Sequence, residues 1–246
     1  FKICKKRRYS CYQKDYRNNE VVLNDFFLAD VQNYISAYQF LFLFGGEPTI
    51  LPQFKQILHY SKKNPFLQLA SVTNATFIDK QYEEIKAVNW AFFDVSLDAA
   101  SENTFKVLRN PHMWSKVISN IRLLTELAKE KKFKVNISMT LNSFNCHEIY
   151  RFVELCSELN AVPQINIVSN PKGLAFQIKY LWFSEKQRVA ILNQLLKIKK
   201  NFSYDFNEIG LGVVENYFNK NYLSFKLVQN TKLVKLLLKS LLHILI

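Results

Sequence analysis

The residues able to do chemistry are concentrated at a few places in the sequence. Directly after the apolar run Phe40-Leu41-Phe42-Leu43-Phe44 stands Gly45-Gly46-Glu47-Pro48-Thr49. Paired glycines let a backbone approach a ligand closely. A glutamate carboxylate accepts hydrogen bonds from an ammonium group, and a proline near a helix start fixes the exit from strand to helix. Further on, Val95-Ser96-Leu97-Asp98 alternates, which puts Ser96 and Asp98 on one face of a strand. Cys4 and Cys11 lie in a polar, basic opening stretch with Arg8 between them and Tyr12 just after, while Cys146 and Cys156 are far downstream. A thiolate is a metal ligand. A guanidinium has no lone pair to offer one.

Other chemistries are excluded by what is missing. His59, His112, His147 and His243 are never at a metal-ligand spacing from one another. There is no Walker loop, HExxH, nucleophile elbow or dinucleotide fingerprint, so phosphate transfer, zinc hydrolysis and serine hydrolysis have no support. Four cysteines in 246 residues do not make a disulfide scaffold. Phe1-Lys2-Ile3 leads into charge instead of a long apolar run, so no signal peptide is read and a reducing cytoplasm is the expected compartment. The formal net charge of +13 invites nucleic acid or an anionic membrane surface. The cations are scattered, however, and no run reads as a nucleic-acid-binding motif, so a lysine-rich solvated surface is the competing reading.

These groups need elements to hold them. A composition 49% hydrophobic and 15% aromatic, with 5 glycines and 6 prolines, is that of an ordered globular chain. Helical spacing covers Asn24 to Ser36, and the Phe40 to Phe44 run reads as a strand buried on both faces, the habit of a parallel sheet. A helix carrying Phe54, Ile57 and Leu58 follows, then strand Leu67 to Thr73, helix Asp79 to Lys86 and strand Asn89 to Leu97. Next come a helix near Met113 to Lys131, with Val117, Ile118, Ile121, Leu124 and Leu127 in phase, and strand Phe133 to Leu141. Helix His147 to Leu159, strand Gln164 to Val168 and helix Ser184 to Lys199 complete the series, with Ser184 as its N-cap. The alternation suits an open barrel or a doubly wound sheet, and periodicity does not separate them.

The end of the chain differs. Leu233, Leu237, Leu241 and Leu245 recur every four residues opposite Lys232, Lys235, Lys239 and His243, an amphipathic helix too short and charged to span a bilayer. Packing under the core and docking on a membrane surface are both compatible with it. The expected division is residues 1–200 as the α/β unit and 201–246 as a helical extension.

Taken in order, these motifs resemble the radical S-adenosylmethionine (SAM) superfamily, with SPASM/twitch-like members the nearest in style. Gly45-Gly46-Glu47-Pro48 resembles its GGEP motif, whose backbone and acid hold the amino group of SAM. Val72-Thr73-Asn74 looks like its third strand end. Phe93 to Ala100 resembles its fourth strand and the loop beyond. Asn103 to Arg109 resembles a turn that often carries an aromatic, a lysine and an arginine, here Phe105, Lys106 and Arg109. Val135 to Asn142 looks like its fifth strand. The resemblance runs from about Ile3 to Ser184 and implies a partial (β/α)6 TIM-like barrel of parallel strands. The family's first strand is expected to be truncated, because almost nothing precedes Cys4.

The resemblance also implies the site. SAM would be held by Tyr12, Gly45, Gly46, Glu47, Pro48, Thr73, Asn74, Ser96, Asp98, Arg109, Ser138 and Asn142. The family binds a [4Fe–4S] cluster through C-x3-C-x2-C. Cys4 and Cys11 have the outer spacing, and Arg8 stands where the middle cysteine belongs. Cys146 follows the fifth family strand closely enough to lie near the active face, and Cys156 reads as core. By resemblance the function is generation of a 5′-deoxyadenosyl radical, with a reductant, to modify an unidentified substrate such as a peptide. The alternative is a non-catalytic relative that binds SAM, a peptide or a protein.

Overall fold

The computed structural model describes residues 25–167 and 183–220. The Cys4–Cys11 loop with Tyr12, and the amphipathic end from Thr231, lie outside the described residues. Five strands form one sheet: β1 (Phe40–Leu43), β2 (Gln68–Thr73), β3 (Trp90–Ser96), β4 (Lys134–Leu141) and β5 (Val162–Ile167). All neighbours are parallel, and the order is β1-β2-β3-β4-β5.

That order resolves what periodicity left open. A doubly wound sheet reverses direction at its switch point and carries helices on both faces. When strands are added one after another in a single direction, right-handed crossovers put every helix on the same side, and the twisted sheet curls into part of a barrel. The helices are α1 (Asp25–Tyr34), α2 (Pro52–Ser61), α3 (Tyr82–Lys86), α4 (Glu102–Leu108), α5 (Trp114–Lys131), α6 (Ile149–Glu158), α7 (Glu185–Asn201) and α8 (Leu211–Lys220). None among the described residues is long and apolar enough to cross a membrane.

The core lies between this helical layer and one face of the sheet. Leu69, Phe93, Val95, Val135, Ile137, Met139, Leu141 and Ile165 are buried from the strands, and Phe54, Leu58, Ile121, Leu124, Phe152 and Ile191 from the helices. The five apolar positions read as one face of α5 are all buried. Ser184 caps α7 by accepting from the Gln187 backbone N–H, and the Gln187 side chain returns the bond, a capping box.

Two expectations need correction. The Phe40 to Phe44 run is not buried on both faces, since Phe40, Phe42 and Phe44 are 50%, 38% and 68% exposed. Leu41 and Leu43 pack against the core, whereas the phenylalanines project from the helix-free face, which has no covering layer among the described residues. An unbroken apolar run does not report which face is covered. The Asn103 to Arg109 stretch is not a turn but most of α4, because Ser101 caps it by accepting from the Thr104 N–H. Phe105 is buried, and Lys106 pairs with Glu102 at 2.9 Å on the surface.

Beyond α7 the chain stays attached to the sheet. The Ile209 carbonyl accepts from the Ile165 N–H at 2.9 Å, and Ile209, Leu211, Val214 and Phe218 join the core. Gly210 permits this approach. Its φ is +79°, and a Cβ there would sit 2.1 Å from the Ile165 carbonyl oxygen. Gly210→Ala should therefore lower unfolding free energy by about 2 kcal/mol or more, combining positive-φ strain with a backbone clash. A denaturant midpoint equal to wild type would show that β5 does not depend on this contact.

Candidate functional site

Because all five strands are parallel, their C-terminal ends share one rim, where the loops carry the polar residues picked out above. Glu47 sits at the end of β1 after Gly45 (φ +96°) and Gly46 (φ +60°), a turn that only glycines take without strain. Its carboxylate is buried and turned into the fold. Oε1 accepts from the Thr49 hydroxyl at 2.5 Å and the Thr73 hydroxyl at 2.6 Å, and Oε2 accepts from the Asn74 N–H at 2.6 Å. Glu47 thus ties the end of β1 to the end of β2. Thr73 in turn accepts from the Ala75 N–H, and the Asn74 side chain accepts from the Thr76 N–H and hydroxyl, so both shape the turn beyond β2.

Asp98 does the same between β3 and β4. It has φ +61°, and its Oδ2 accepts from Arg109 Nη2 at 2.6 Å and Nε at 3.1 Å, while Oδ1 accepts from the Thr140 N–H at 2.8 Å. The two side chains are 13% and 14% exposed, which makes this a sheltered pair. Arg109 Nη1 has no partner among the described residues. Asn142 is folded into its own turn, donating to the Thr140 carbonyl and accepting from the Phe144 N–H.

Ser96 and Ser138 stand apart from these. They are opposite each other in the β3–β4 register, on the helix-free face and half-buried, and neither hydroxyl has a partner among the described residues. With Arg109 Nη1, their hydroxyls are sequence-named groups without a partner among the described residues. The rim therefore fits a molecule with ammonium, carboxylate and hydroxyl groups through the Ser96 and Ser138 hydroxyls, Arg109 Nη1 and the glycine backbone.

Sequence reasoning missed two residues. Glu148, buried just after β4, accepts from the Ala100 N–H at 2.8 Å, the Thr104 hydroxyl at 2.8 Å and the Ser101 hydroxyl. It braces the loop leading from β3 into α4. Fully buried Asn145 donates to the carbonyls of Asp98 and Thr140, each at 3.0 Å, and accepts from the Asn142 N–H. An acid in the first turn of a helix reads from sequence as a dipole partner, which hides the loop it holds across the rim.

The described thiols do not fit a metal cluster. Cys146 is buried with its Sγ 3.6 Å from the Ser143 carbonyl, and burial pushes its pKa up. Cys156 is fully buried, and burial raises its thiol well above the ordinary value. Neither belongs to a group of three or more potential metal ligands among the described residues.

Comparison with known proteins places this geometry. The family model described as "Radical SAM superfamily" matches residues 3–156. A probable GTP 3′,8-cyclase of Saccharolobus islandicus is 26% identical over 133 residues, 54% of this chain and 42% of that protein. The GTP 3′,8-cyclase of Clostridium botulinum is 31% identical over 112 residues, 45% of this chain and 34% of its own length. The chain thus spans less than half the length of these curated relatives. Among solved structures, Streptococcus suis SuiB bound to SAM superposes with TM-score 0.51 at 15% identity, covering 70% of this chain and 40% of SuiB. The anSMEcpe structure with bound AdoMet and Cp18Cys peptide superposes with TM-score 0.55 at 18% identity, covering 79% of this chain and 56% of that one. At those identities the likeness is one of fold.

The bracing role of Glu47 is directly testable. Glu47→Gln replaces an acceptor oxygen with a donor that faces other donors, so unfolding free energy should fall by about 1–3 kcal/mol with an unchanged denaturant slope. An unmoved midpoint would remove the carboxylate from its bracing role.

Proposed function

The chain belongs to the radical SAM superfamily, and from that premise we propose that it binds S-adenosylmethionine across the rim of its partial barrel. The backbone of Gly45, Gly46, Glu47 and Pro48 takes the ammonium end. Ser96 and Ser138 take the ribose and carboxylate together with Arg109; Tyr12, outside the described residues, is a further SAM contact by the motif resemblance. Glu47, Thr73, Asn74, Asp98 and Asn142 act as positioning residues, because the Glu47 and Asp98 carboxylates, the Thr73 hydroxyl and the side-chain oxygens of Asn74 and Asn142 are already engaged within the rim. The observation that carries this reading is the pair of open hydroxyls at Ser96 and Ser138, in register on the helix-free face of a braced rim.

The family's chemistry draws one electron from a [4Fe–4S] cluster and a 5′-deoxyadenosyl radical from SAM. Here the sequence offers Cys4 and Cys11, with cationic Arg8 at the middle place, and the buried Cys146 and Cys156 belong to no metal-ligand group among the described residues. A second reading follows from Arg8 alone: the chain keeps the SAM site and has lost radical chemistry. The substrate, by either reading, enters the lumen of the barrel. The relatives' names offer a nucleotide for the GTP 3′,8-cyclases and a peptide for SuiB, which has been seen with its precursor peptide SuiA.

Calorimetric titration with SAM tests the site. The double variant Ser96→Ala/Ser138→Ala should bind about thirtyfold more weakly, since two hydrogen bonds of about 1 kcal/mol each amount to about 2 kcal/mol. Equal affinity would move the cofactor elsewhere. Anaerobic reconstitution tests the loop. Wild type should hold well under the roughly four irons of a cubane, and Arg8→Cys should raise the content toward that figure and yield 5′-deoxyadenosine with reductant. A wild-type chain that fills with iron and turns over SAM would discard the non-catalytic reading.

A further inference from the structure

The helix-free face of the sheet is layered by its register. Ser96, Ser138 and Gln164 form the tier nearest the rim. One step deeper lie Val72, Asp94, Asn136 and Val162, and below them Ala70, Phe92 and Lys134. Asp94 belongs to the central strand, is half-buried, and has no ion-pair partner among the described residues. Its one hydrogen bond is from Asn136 Nδ2 to Oδ1, at 2.8 Å.

That single bond decides what the tier offers a ligand. A carboxylate only accepts, so the Asn136 amide must turn its nitrogen toward Asp94 and its Oδ1 away. Asp94 Oδ2 and Asn136 Oδ1 are then two open acceptors on adjacent strands, whose backbones run roughly 4.8 Å apart in a sheet. No donor from the described residues reaches either one. Beside them is an aromatic wall: Phe42 and Phe92 have ring centroids 5.7 Å apart, Phe42 and Phe44 5.1 Å, and Phe40 and Phe92 6.5 Å. A half-buried carboxylate without a counter-ion favours a cation. Flat rings alongside favour a planar, delocalised cation over a compact ammonium, and a guanidinium supplies several N–H donors in one plane.

We propose that Asp94 and Asn136, with the Phe42 and Phe92 rings, form a specificity pocket in the lumen that takes the guanidinium of an arginine side chain in the substrate. This deepens the preceding reading, on which it rests for the lumen being the substrate chamber. Asp94 Oδ2 accepts one guanidinium N–H, Asn136 Oδ1 another, and the rings cover its face. The tier lies below Ser96 and Ser138, so the substrate is held deeper in the barrel than the cofactor. Substrate and SAM then meet at the serine tier.

The test uses the intact chain and two probes, acetyl-Gly-Arg-Gly-amide and the same peptide with neutral citrulline in place of arginine. Wild type is expected to bind the arginine peptide about tenfold or more tightly than the citrulline peptide, the difference a charge-assisted bond makes. Asp94→Asn, nearly isosteric, should erase that difference and leave SAM affinity unchanged. Asn136→Ala, which keeps the charge and removes one acceptor, should reduce the preference without abolishing it. Equal affinity of wild type for the two peptides would overturn the proposal, and so would an intact preference in Asp94→Asn. A loss of SAM affinity in Asp94→Asn would assign the carboxylate to the cofactor instead. GTP binding that falls in Asp94→Asn, with no arginine preference in wild type, would assign the tier to a base edge. If the arginine preference holds while wild type binds no SAM, the pocket stands and the SAM reading falls.

Discussion

The rim is held together by carboxylates that straddle neighbouring loops. Glu47 joins the ends of β1 and β2, Asp98 joins β3 to β4 and to Arg109, and Glu148 joins the β3–α4 loop to the start of α6. Each is buried or nearly so, and each accepts from backbone N–H groups, hydroxyls or a guanidinium. A buried carboxylate left without donors is costly, so these loops are driven to close around their acids. The strands are rigid through their ladders. The loops between them have no ladder, and the three acids take its place.

This bracing separates two kinds of polar residue that look alike in sequence. The Glu47 and Asp98 carboxylates, the Thr73 hydroxyl and the side-chain oxygens of Asn74 and Asn142 are engaged by neighbouring hydroxyls, by Arg109 and by the backbone. Ser96, Ser138 and Asp94 project from the same sheet with capacity to spare. The first group ties the loops of the rim together, and in the proposed reading the second meets the ligand. Positioning of this kind is what a cofactor enzyme asks of its protein, since the hard chemistry belongs to the cofactor.

Arg8 gives the family assignment its tension. The chain belongs to the family, and by the motif resemblance Arg8 stands at the middle place of C-x3-C-x2-C, a cation with no lone pair for a metal. Cys146 and Cys156 are packed in the core and belong to no metal-ligand group among the described residues. In the proposed reading, SAM binding rests on the rim and turnover on the cysteine stretch, so the two are separable.

Much of the architecture was legible in the sequence. Strand and helix positions followed from period, as the buried face of α5 illustrates, and Ser184 announced the start of α7. Gly45-Gly46-Glu47-Pro48 marked the rim because glycine pairs and a proline restrict the backbone locally, and local restrictions are written in local sequence. Three things were decided only by tertiary structure. Period could not distinguish a barrel from a doubly wound sheet, because strand order is a relation between distant segments. Nor could it show that the Phe40, Phe42 and Phe44 rings face a side without helices. The direction of the Glu47, Asp98 and Glu148 carboxylates depends on donors 26, 42 and 48 residues away, and no spacing rule reaches that far.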